Sequence, residues 1–201
     1  MENQPANPQV DRCEMNEADA KAHREHLVRQ MIFEIGDDAH REGVEDTPKR
    51  VVKSWKELYA GYRMDPAAVL GTVFDAGDYS QIVICKDIEF FSTCEHHMLP
   101  FFGKVSIGYF PEKKVVGLSK LARLVEVFSR RLQIQEQMTQ QIADTLMTVL
   151  QPRGVMVVAE AKHFCMVARG VGKQNSTMVT SAIRGCFEDL GKRSEFMGLM
   201  K

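Results

Sequence analysis

Five cysteine and histidine side chains fall in two short segments of this chain, and their chemical types are those of a metal site. Cys94, His96 and His97 lie in the first segment, and His163 and Cys165 lie in the second. Thiolate and imidazole are the ligands that zinc prefers, and two cysteines with one histidine form a known catalytic set that keeps a fourth position open. The two segments together therefore predict a site for Zn²⁺.

The spacing within each segment is compatible with one shared ion. Cys94 and His97 are three residues apart, which suits a turn wrapped around an ion. His163 and Cys165 are two residues apart on a predicted strand, which would place both on the same face. Three or four ligand positions leave one or two histidines beside the metal, where they could move protons during attack by an activated water.

Other interpretations of these residues stay open at this level. Each cysteine or histidine alone could be an ordinary buried or hydrogen-bonded residue. A closed structural zinc site made of Cys94, His97, His163 and Cys165 is also chemically reasonable. The residues by themselves do not tell which histidine binds the metal and which does chemistry.

The periodicity of apolar residues predicts an α+β fold that would position these segments. The predicted helices are 18–35, 47–61, 121–128, 138–149 and 189–200, and the predicted strands are 81–91, 104–110, 115–116, 155–168 and 177–187. In the first helix the apolar spacing is carried by Leu27, Met31 and Ile35. The strands lie before and after a pair of helices, which favours an antiparallel sheet over a doubly wound one.

Length, charge and composition describe an ordinary globular protein. The 201 residues suffice to bury a core without disulfides, and 44% of them are hydrophobic and 26% charged. A net charge of −1 provides no overall field for nucleic acid or an anionic membrane, so we expect neither as a partner. An odd number of cysteines, no signal-peptide pattern and no apolar run of roughly 20 residues predict a cytoplasmic protein.

Several separate motifs occur in an order that resembles one enzyme family. They are Thr47-Pro48-Lys49-Arg50, Cys94-Glu95-His96-His97, Gly117-Leu118-Ser119-Lys120-Leu121-Ala122-Arg123, Gln133-Ile134-Gln135-Glu136, His163-Phe164-Cys165-Met166-Val167-Ala168-Arg169-Gly170 and Thr180-Ser181. In this combination, over roughly 47–187, the chain resembles GTP cyclohydrolase I. Its departures from common family forms, at Met98-Leu99 and Ala168, replace no functional group.

The resemblance implies a reaction and a set of roles. Enzymes of this family convert GTP and water to formate and 7,8-dihydroneopterin triphosphate, the entry to folate or tetrahydrobiopterin synthesis. By resemblance, Cys94, His97 and Cys165 would bind zinc and leave a position for water. His163 would assist protonation near N7 of the purine during attack at C8, and His96 would assist opening of the ribose ring.

The resemblance also assigns residues to the nucleotide. Guanine presents two neighbouring N–H donor groups that one carboxylate can accept together, and Glu136 matches the family residue with that role. Gln135, beside it, is also expected by resemblance to contact the nucleotide. A glutamate in the first turn of a helix also favours the helix dipole without any ligand. By resemblance, the expected phosphate pocket contains Ser119, Lys120, Arg123, Arg169 and Arg50, and Arg50 could come from a neighbouring subunit.

At the level of the fold, the resemblance implies the tunnelling fold, an antiparallel four-stranded sheet with two long helices on one face, preceded by N-terminal helices. We expect a flexible tail at 1–15, a helical part at 16–70 and the catalytic domain at 71–201. The implied assembly is a homodecamer of two pentamers with active sites at subunit interfaces. The alternatives are a noncatalytic zinc-stabilised module and a related enzyme acting on another pterin or deazapurine.

Overall fold

A computed structural model describes residues 16–71 and 73–201 of the chain. The expected flexible tail at 1–15 lies outside the described residues. Contacts within the chain separate two compact units, one that ends at Glu57 and one that comprises Leu58–Lys201. None of the described helices combines the length and the hydropathy needed to cross a bilayer.

The N-terminal unit is built on two helices, α1 (Glu17–Glu34) and α2 (Thr47–Leu58). The side chain of Asn16 caps the start of α1 by accepting a hydrogen bond from the backbone N–H of Asp19 at 3.0 Å. A small core forms where Val28 and Ile32 of α1 meet Val52 of α2. The position of α1 agrees with the predicted helix at 18–35. The face of α1 that packs in the core is not the one that the sequence indicated, but the face next to it.

The apolar residues that indicated α1 are not the ones it buries. Leu27, Met31 and Ile35 are 46%, 60% and 81% exposed, whereas Val28 and Ile32, one position further along, are buried. Both sets follow the same helical spacing, so periodicity indicates a helix without telling which of two adjacent stripes faces the core.

The larger unit contains seven strands and five helices in its described residues. The strands are β1 (Val73–Asp75), β2 (Val83–Cys94), β3 (Pro100–Phe110), β4 (Lys114–Val116), β5 (Leu132–Gln133), β6 (Gly154–His163) and β7 (Met178–Gly185). The helices are α3 (Pro66–Val69), α4 (Leu118–Ser129), α5 (Gln135–Leu150), α6 (Phe164–Val167) and α7 (Leu190–Leu199), with short 3₁₀ turns at Ala60–Arg63 and Cys186–Glu188. The combination of largely antiparallel sheets with helices makes this an α+β fold.

The main sheet has five strands in the order β5-β2-β3-β6-β7, and β1 pairs with β4 in a separate two-stranded sheet. Neighbours among β2, β3, β6 and β7 are antiparallel, whereas β5 pairs in parallel with the end of β2, placing Gln133 opposite Cys94. The main sheet therefore has five strands and not the expected four, and β5 is the additional strand. β5 has only two residues, too few for any period to mark it in the sequence.

A second correction concerns the segment at 155–168, which was predicted to be one strand. β6 ends at His163, and the chain then makes the single helical turn α6. His163 and Cys165 therefore do not share the face of a strand. The apolar run that continues through Phe164-Cys165-Met166-Val167 is compatible with either a strand or a helix. Its secondary structure therefore depends on the tertiary contacts of the segment.

The sheet is covered on both faces because alternate residues of its strands point to opposite sides. Ile107 of β3 and Val157 of β6 pack with the buried faces of α4 and α5 in the main core. Phe110 and Met156 point the other way and pack with Phe196 of α7. The two long helices thus lie on one face of the sheet, and the C-terminal helix covers part of the other.

Candidate functional site

The first half of the candidate site is the tight turn that joins β2 to β3. Cys94 is the last residue of β2, and its backbone N–H donates to the carbonyl of Leu99 at 2.8 Å across the turn. Its own carbonyl accepts from the N–H of Met98 at 2.8 Å. Met98 has a φ of 52°, a left-handed conformation that closes the turn. This turn keeps Cys94 buried and brings His97 back beside it.

The second half is the end of β6. The register of β3 with β6 places Phe101 directly opposite His163, so β6 ends beside the start of β3. The helical turn α6 then carries Cys165 back toward the cysteine-histidine turn. The end of β2 and the end of β6 are about 70 residues apart in the chain. Strand pairing brings them together, because β2 and β6 lie on either side of β3.

Cys94, His97 and Cys165 form a cluster whose ligand atoms all lie within 4.8 Å of one another. The Sγ of Cys94 lies 3.8 Å from Nδ1 of His97. Zinc bonded at its usual distances holds sulfur and nitrogen donors about 3.5–3.8 Å apart in a tetrahedron. The donor types and the separation of Cys94 from His97 are compatible with zinc, and the three residues together could bind a metal ion.

The electrostatics of the two thiols also suit a cation. Burial raises the pKa of the Cys165 thiol, and the neighbouring Cys94 thiol raises it further, whereas the positive charge of Arg169 lowers it. A neighbouring thiolate disfavours ionisation of Cys165 because like charges repel. A divalent cation between the two sulfurs would remove that repulsion.

His96 lies beside this cluster and outside the set of three. Its Nδ1 is 4.0 Å from the Sγ of Cys94, and its Nε2 is 3.9 Å from a carboxylate oxygen of Glu95. The side chain is 64% exposed. His96 is therefore adjacent to the cluster and accessible to a ligand from solvent.

His163 is held at a fixed position next to the cluster. Its ring stacks on that of Phe101, with centroids 4.6 Å apart and planes 6° from parallel. Its Nε2 lies 2.8 Å from Oε1 of Gln135. Burial lowers the pKa of His163, and the negative charge of Glu136 partly offsets this effect. Glu136 itself is exposed in the first turn of α5, next to Gln135.

The other residues expected to bind GTP occupy three different elements. Ser119, Lys120 and Arg123 lie in the first two turns of α4, and Ser119 and Arg123 are exposed. Arg169 is exposed directly after α6. Arg50 lies on α2 in the N-terminal unit, where its guanidinium is 3.4 Å from the carboxylate of Asp46. Arg169 therefore lies near Cys165 of the cysteine-histidine cluster, whereas Arg50 belongs to the other compact unit.

Phe101 and Thr139 were not among the residues that the sequence indicated, and Thr180 occurred only in a family motif without an assigned role. Phe101 supplies the stacking surface for His163, and the hydroxyls of Thr139 and Thr180 bond to each other at 2.7 Å. Thr139 also donates to the carbonyl of Gln135 at 2.7 Å. Thr139 is one helical turn after Gln135, a spacing that could have suggested contact. Nothing in the local sequence indicates the partner of Phe101, because that contact depends on strand register.

Comparison with known proteins agrees with this arrangement. Residues 24–201 match the sequence model of the family described as GTP cyclohydrolase I. A relative from Wolinella succinogenes named GTP cyclohydrolase 1 is 67% identical over 181 residues, which cover 90% of this chain and 97% of the relative. A protein of the same name from Helicobacter pylori is 50% identical over 178 residues, which cover 88% of this chain and 99% of that protein.

One solved structure, the archaeosine synthase QueF-Like in its apo form, aligns with 52% of this chain and 93% of its own, at 18% identity and a TM-score of 0.42. That likeness is too low to support an argument about the fold. The sequence relationships are much stronger, because they extend over nearly the whole chain at high identity. By these relationships the chain is a hydrolase that belongs to the GTP cyclohydrolase I family.

Proposed function

We propose that this enzyme converts GTP and water to formate and 7,8-dihydroneopterin triphosphate, and that it depends on zinc. The observation that carries the proposal is the approach of Cys94, His97 and Cys165 to within 4.8 Å of one another, with His163 fixed beside them. Membership of the family supports GTP as the substrate. The product would serve folate or tetrahydrobiopterin synthesis.

Cys94, His97 and Cys165 would hold the zinc ion, since their donor types and separations fit its usual coordination. Three protein ligands leave a position for water, as in catalytic zinc sites. When bound, zinc supplies Lewis acidity that makes water a nucleophile near neutral pH. The protein's own contribution is to fix the three donors through the β2–β3 turn and α6.

The two remaining histidines would handle protons. His163 would bring a proton to the purine near N7, which makes C8 a better electrophile at the moment of attack. Its stacked, hydrogen-bonded ring supports such a role because proton transfer requires a donor held at a defined position. His96, which is exposed beside the cluster, would assist opening of the ribose ring.

Glu136 would recognise guanine by accepting both of its neighbouring N–H groups with one carboxylate. Its exposure in the first turn of α5, directly after the residue whose amide contacts His163, supports this role. The triphosphate would be held by Ser119 and Lys120 at the N-terminus of α4, together with Arg123 and Arg169. Arg50 would complete the phosphate pocket from a neighbouring subunit.

For the fold and assembly we propose the tunnelling fold, with 71–201 as the catalytic domain, and a cytoplasmic homodecamer of two pentamers. The antiparallel order of β2, β3, β6 and β7 and the two long helices on one face support this fold. β7 is at an edge of the main sheet among the described strands. Pairing of such edges between subunits would remove exposed backbone donors and acceptors.

The proposal is tested by incubating the protein with GTP and measuring released formate and pterin fluorescence, with and without a chelator. We expect both signals to form together, to disappear on metal removal and to return when zinc is added. ATP and other purine or pterin nucleotides form the comparison panel. The proposal is wrong if metal removal unfolds the protein while the metal-loaded form leaves GTP intact, which is the behaviour of a structural zinc module.

A further inference from the structure

The side chain of Gln135 is fully buried at the start of α5 and makes hydrogen bonds at both ends of its amide. Its Nε2 lies 2.9 Å from the carbonyl oxygen of Ala159, 3.1 Å from that of Met178 and 3.2 Å from Oγ1 of Thr180. Its Oε1 lies 2.8 Å from Nε2 of His163. The amide therefore connects the neighbouring strands β6 and β7 to the histidine.

The partners of Gln135 determine which way its amide points. The carbonyl oxygens of Ala159 and Met178 only accept hydrogen bonds, so the NH₂ group must face them. The reversed amide would place an oxygen against two carbonyl oxygens inside the protein, where an unsatisfied polar contact is costly. The oxygen of the amide is thus the atom that faces His163.

The two threonines agree with this direction. Thr139 donates its only hydroxyl hydrogen to the carbonyl of Gln135, so Thr180 supplies the hydrogen for the bond between the two hydroxyls. Thr180 Oγ1 then has a lone pair free to accept from the amide of Gln135. Every donor in this small network has an acceptor, so the network has a single consistent arrangement.

An oxygen facing His163 requires a proton on Nε2 of that histidine. In the neutral ring the proton then resides on Nε2, and Nδ1 carries the lone pair. In the charged ring Nε2 keeps its proton and Nδ1 gains one. In both states Nδ1 is the atom that exchanges a proton. The stack on Phe101 sets the plane of the ring, and the bond to Gln135 sets its rotation within that plane.

We propose that Gln135 is a positioning residue that holds His163 in the Nε2–H tautomer, so that Nδ1 exchanges the catalytic proton, and that it acts on GTP only through this histidine. The inference builds on the proposed role of His163. It also differs from the expectation that Gln135 contacts the nucleotide, because its buried amide already has a partner at both ends.

The first test compares Gln135→Met, which keeps the length of the side chain but removes the amide, with the matched variant Gln140→Met. The second variant makes the same change at an exposed position of α5 outside the network. We expect Gln135→Met to lower kcat by about 10- to 100-fold, the range seen when the outer hydrogen-bond partner of a metal-binding histidine is lost. Its KM for GTP and its zinc content should not change, and Gln140→Met should keep most of its kcat.

Equilibrium binding separates positioning from direct contact. In the inactive His163→Ala background, adding Gln135→Met should leave the Kd for GTP unchanged, because the residue through which Gln135 acts is already gone. A raised KM with normal kcat, or an equal loss of GTP affinity in both backgrounds, would overturn the proposal and make Gln135 a substrate contact. The proposal about Gln135 would also be overturned if the Gln135→Met variant were fully active while the His163→Ala variant was inactive. That result would leave the proposed role of His163 unaffected.

A third measurement does not depend on the folding of any Gln135 variant. In ¹⁵N-histidine spectra of the full-length protein, the ring signals that disappear in His163→Ala identify this residue. We expect the neutral ring to show a protonated Nε2 and an unprotonated Nδ1. A neutral ring with the proton on Nδ1 would contradict the inference whether or not the protein turns over GTP, so its failure is distinct from failure of the proposed function.

Discussion

The ring of His163 lies nearly parallel to that of Phe101, with 4.6 Å between their centroids, and the two residues are direct partners in the pairing of β6 with β3. Phe101 is fully buried and lies seven residues after Cys94, just beyond the turn that contains Cys94 and His97. The strand that follows the Cys94–His97 turn therefore also supplies the surface against which the His163 ring packs. This contact links the geometry of the proposed metal ligands to the position of the proposed proton donor.

Replacing Phe101 with Leu should impair catalysis more than its effect on stability explains. The substitution removes a ring stack worth roughly 0.5–1.5 kcal/mol and frees the plane of the His163 ring. We expect kcat to fall while zinc stays bound, measured as formate release and metal content. The matched control is Phe90→Leu, because Phe90 is equally buried and contacts Phe101 edge-on at 5.8 Å. Equal losses of kcat in both variants would assign the effect to general core damage.

Replacing His163 with Ala should abolish formate release and leave the metal in place. The expected loss of rate is roughly 10²–10⁴-fold, the usual contribution of a positioned acid or base. Metal analysis of the purified variant and a formate assay measure the two outcomes separately. His26→Ala, a change of an exposed histidine on α1, serves as the control. Loss of the metal from the His163 variant would instead place this residue among the ligands.

Replacing Cys165 with Ala should remove the metal and with it the activity. One of three ligands is lost, so metal affinity should fall by more than the roughly 10- to 100-fold that follows loss of a ligand's outer hydrogen-bond partner. Metal content after dialysis measures the change. Cys186→Ala is the matched control, because Cys186 is also a half-buried free cysteine but lies outside the cluster. A Cys165 variant that keeps its zinc contradicts the proposed ligand set.

Replacing Glu136 with Gln should weaken selection of GTP over ATP. The variant keeps one acceptor oxygen and replaces the other with a donor that opposes the N–H groups of guanine. Hydrogen bonds to a charged group contribute about 1.5–3 kcal/mol, so kcat/KM for GTP should fall by roughly 10- to 150-fold. The control is Glu160→Gln, which removes an exposed carboxylate on β6 rather than on α5 and should have little effect on kcat/KM for GTP. Unchanged discrimination in the Glu136 variant would exclude its role in recognising guanine.

Much of the local structure could be predicted from the sequence. The helices α1, α4, α5 and α7 and the strands β2, β3 and β7 lie close to the predicted ranges, because each is long enough to show a hydrophobic period. The end of β6 at His163 and the two-residue strand β5 could not be predicted in this way. Both depend on pairing with β3 and β2, which lie far away in the sequence.

The chemistry available to this protein could be inferred without a structure, since cysteine, histidine and carboxylate side chains carry their donor properties wherever they lie. The family could be inferred in the same way, because separate motifs follow one another in order. That Cys94 and Cys165 meet, and that the amide oxygen of Gln135 faces His163, became visible only in the folded chain. These contacts join segments tens of residues apart, and their geometry is set by strand register and by the packing of α5 on the sheet.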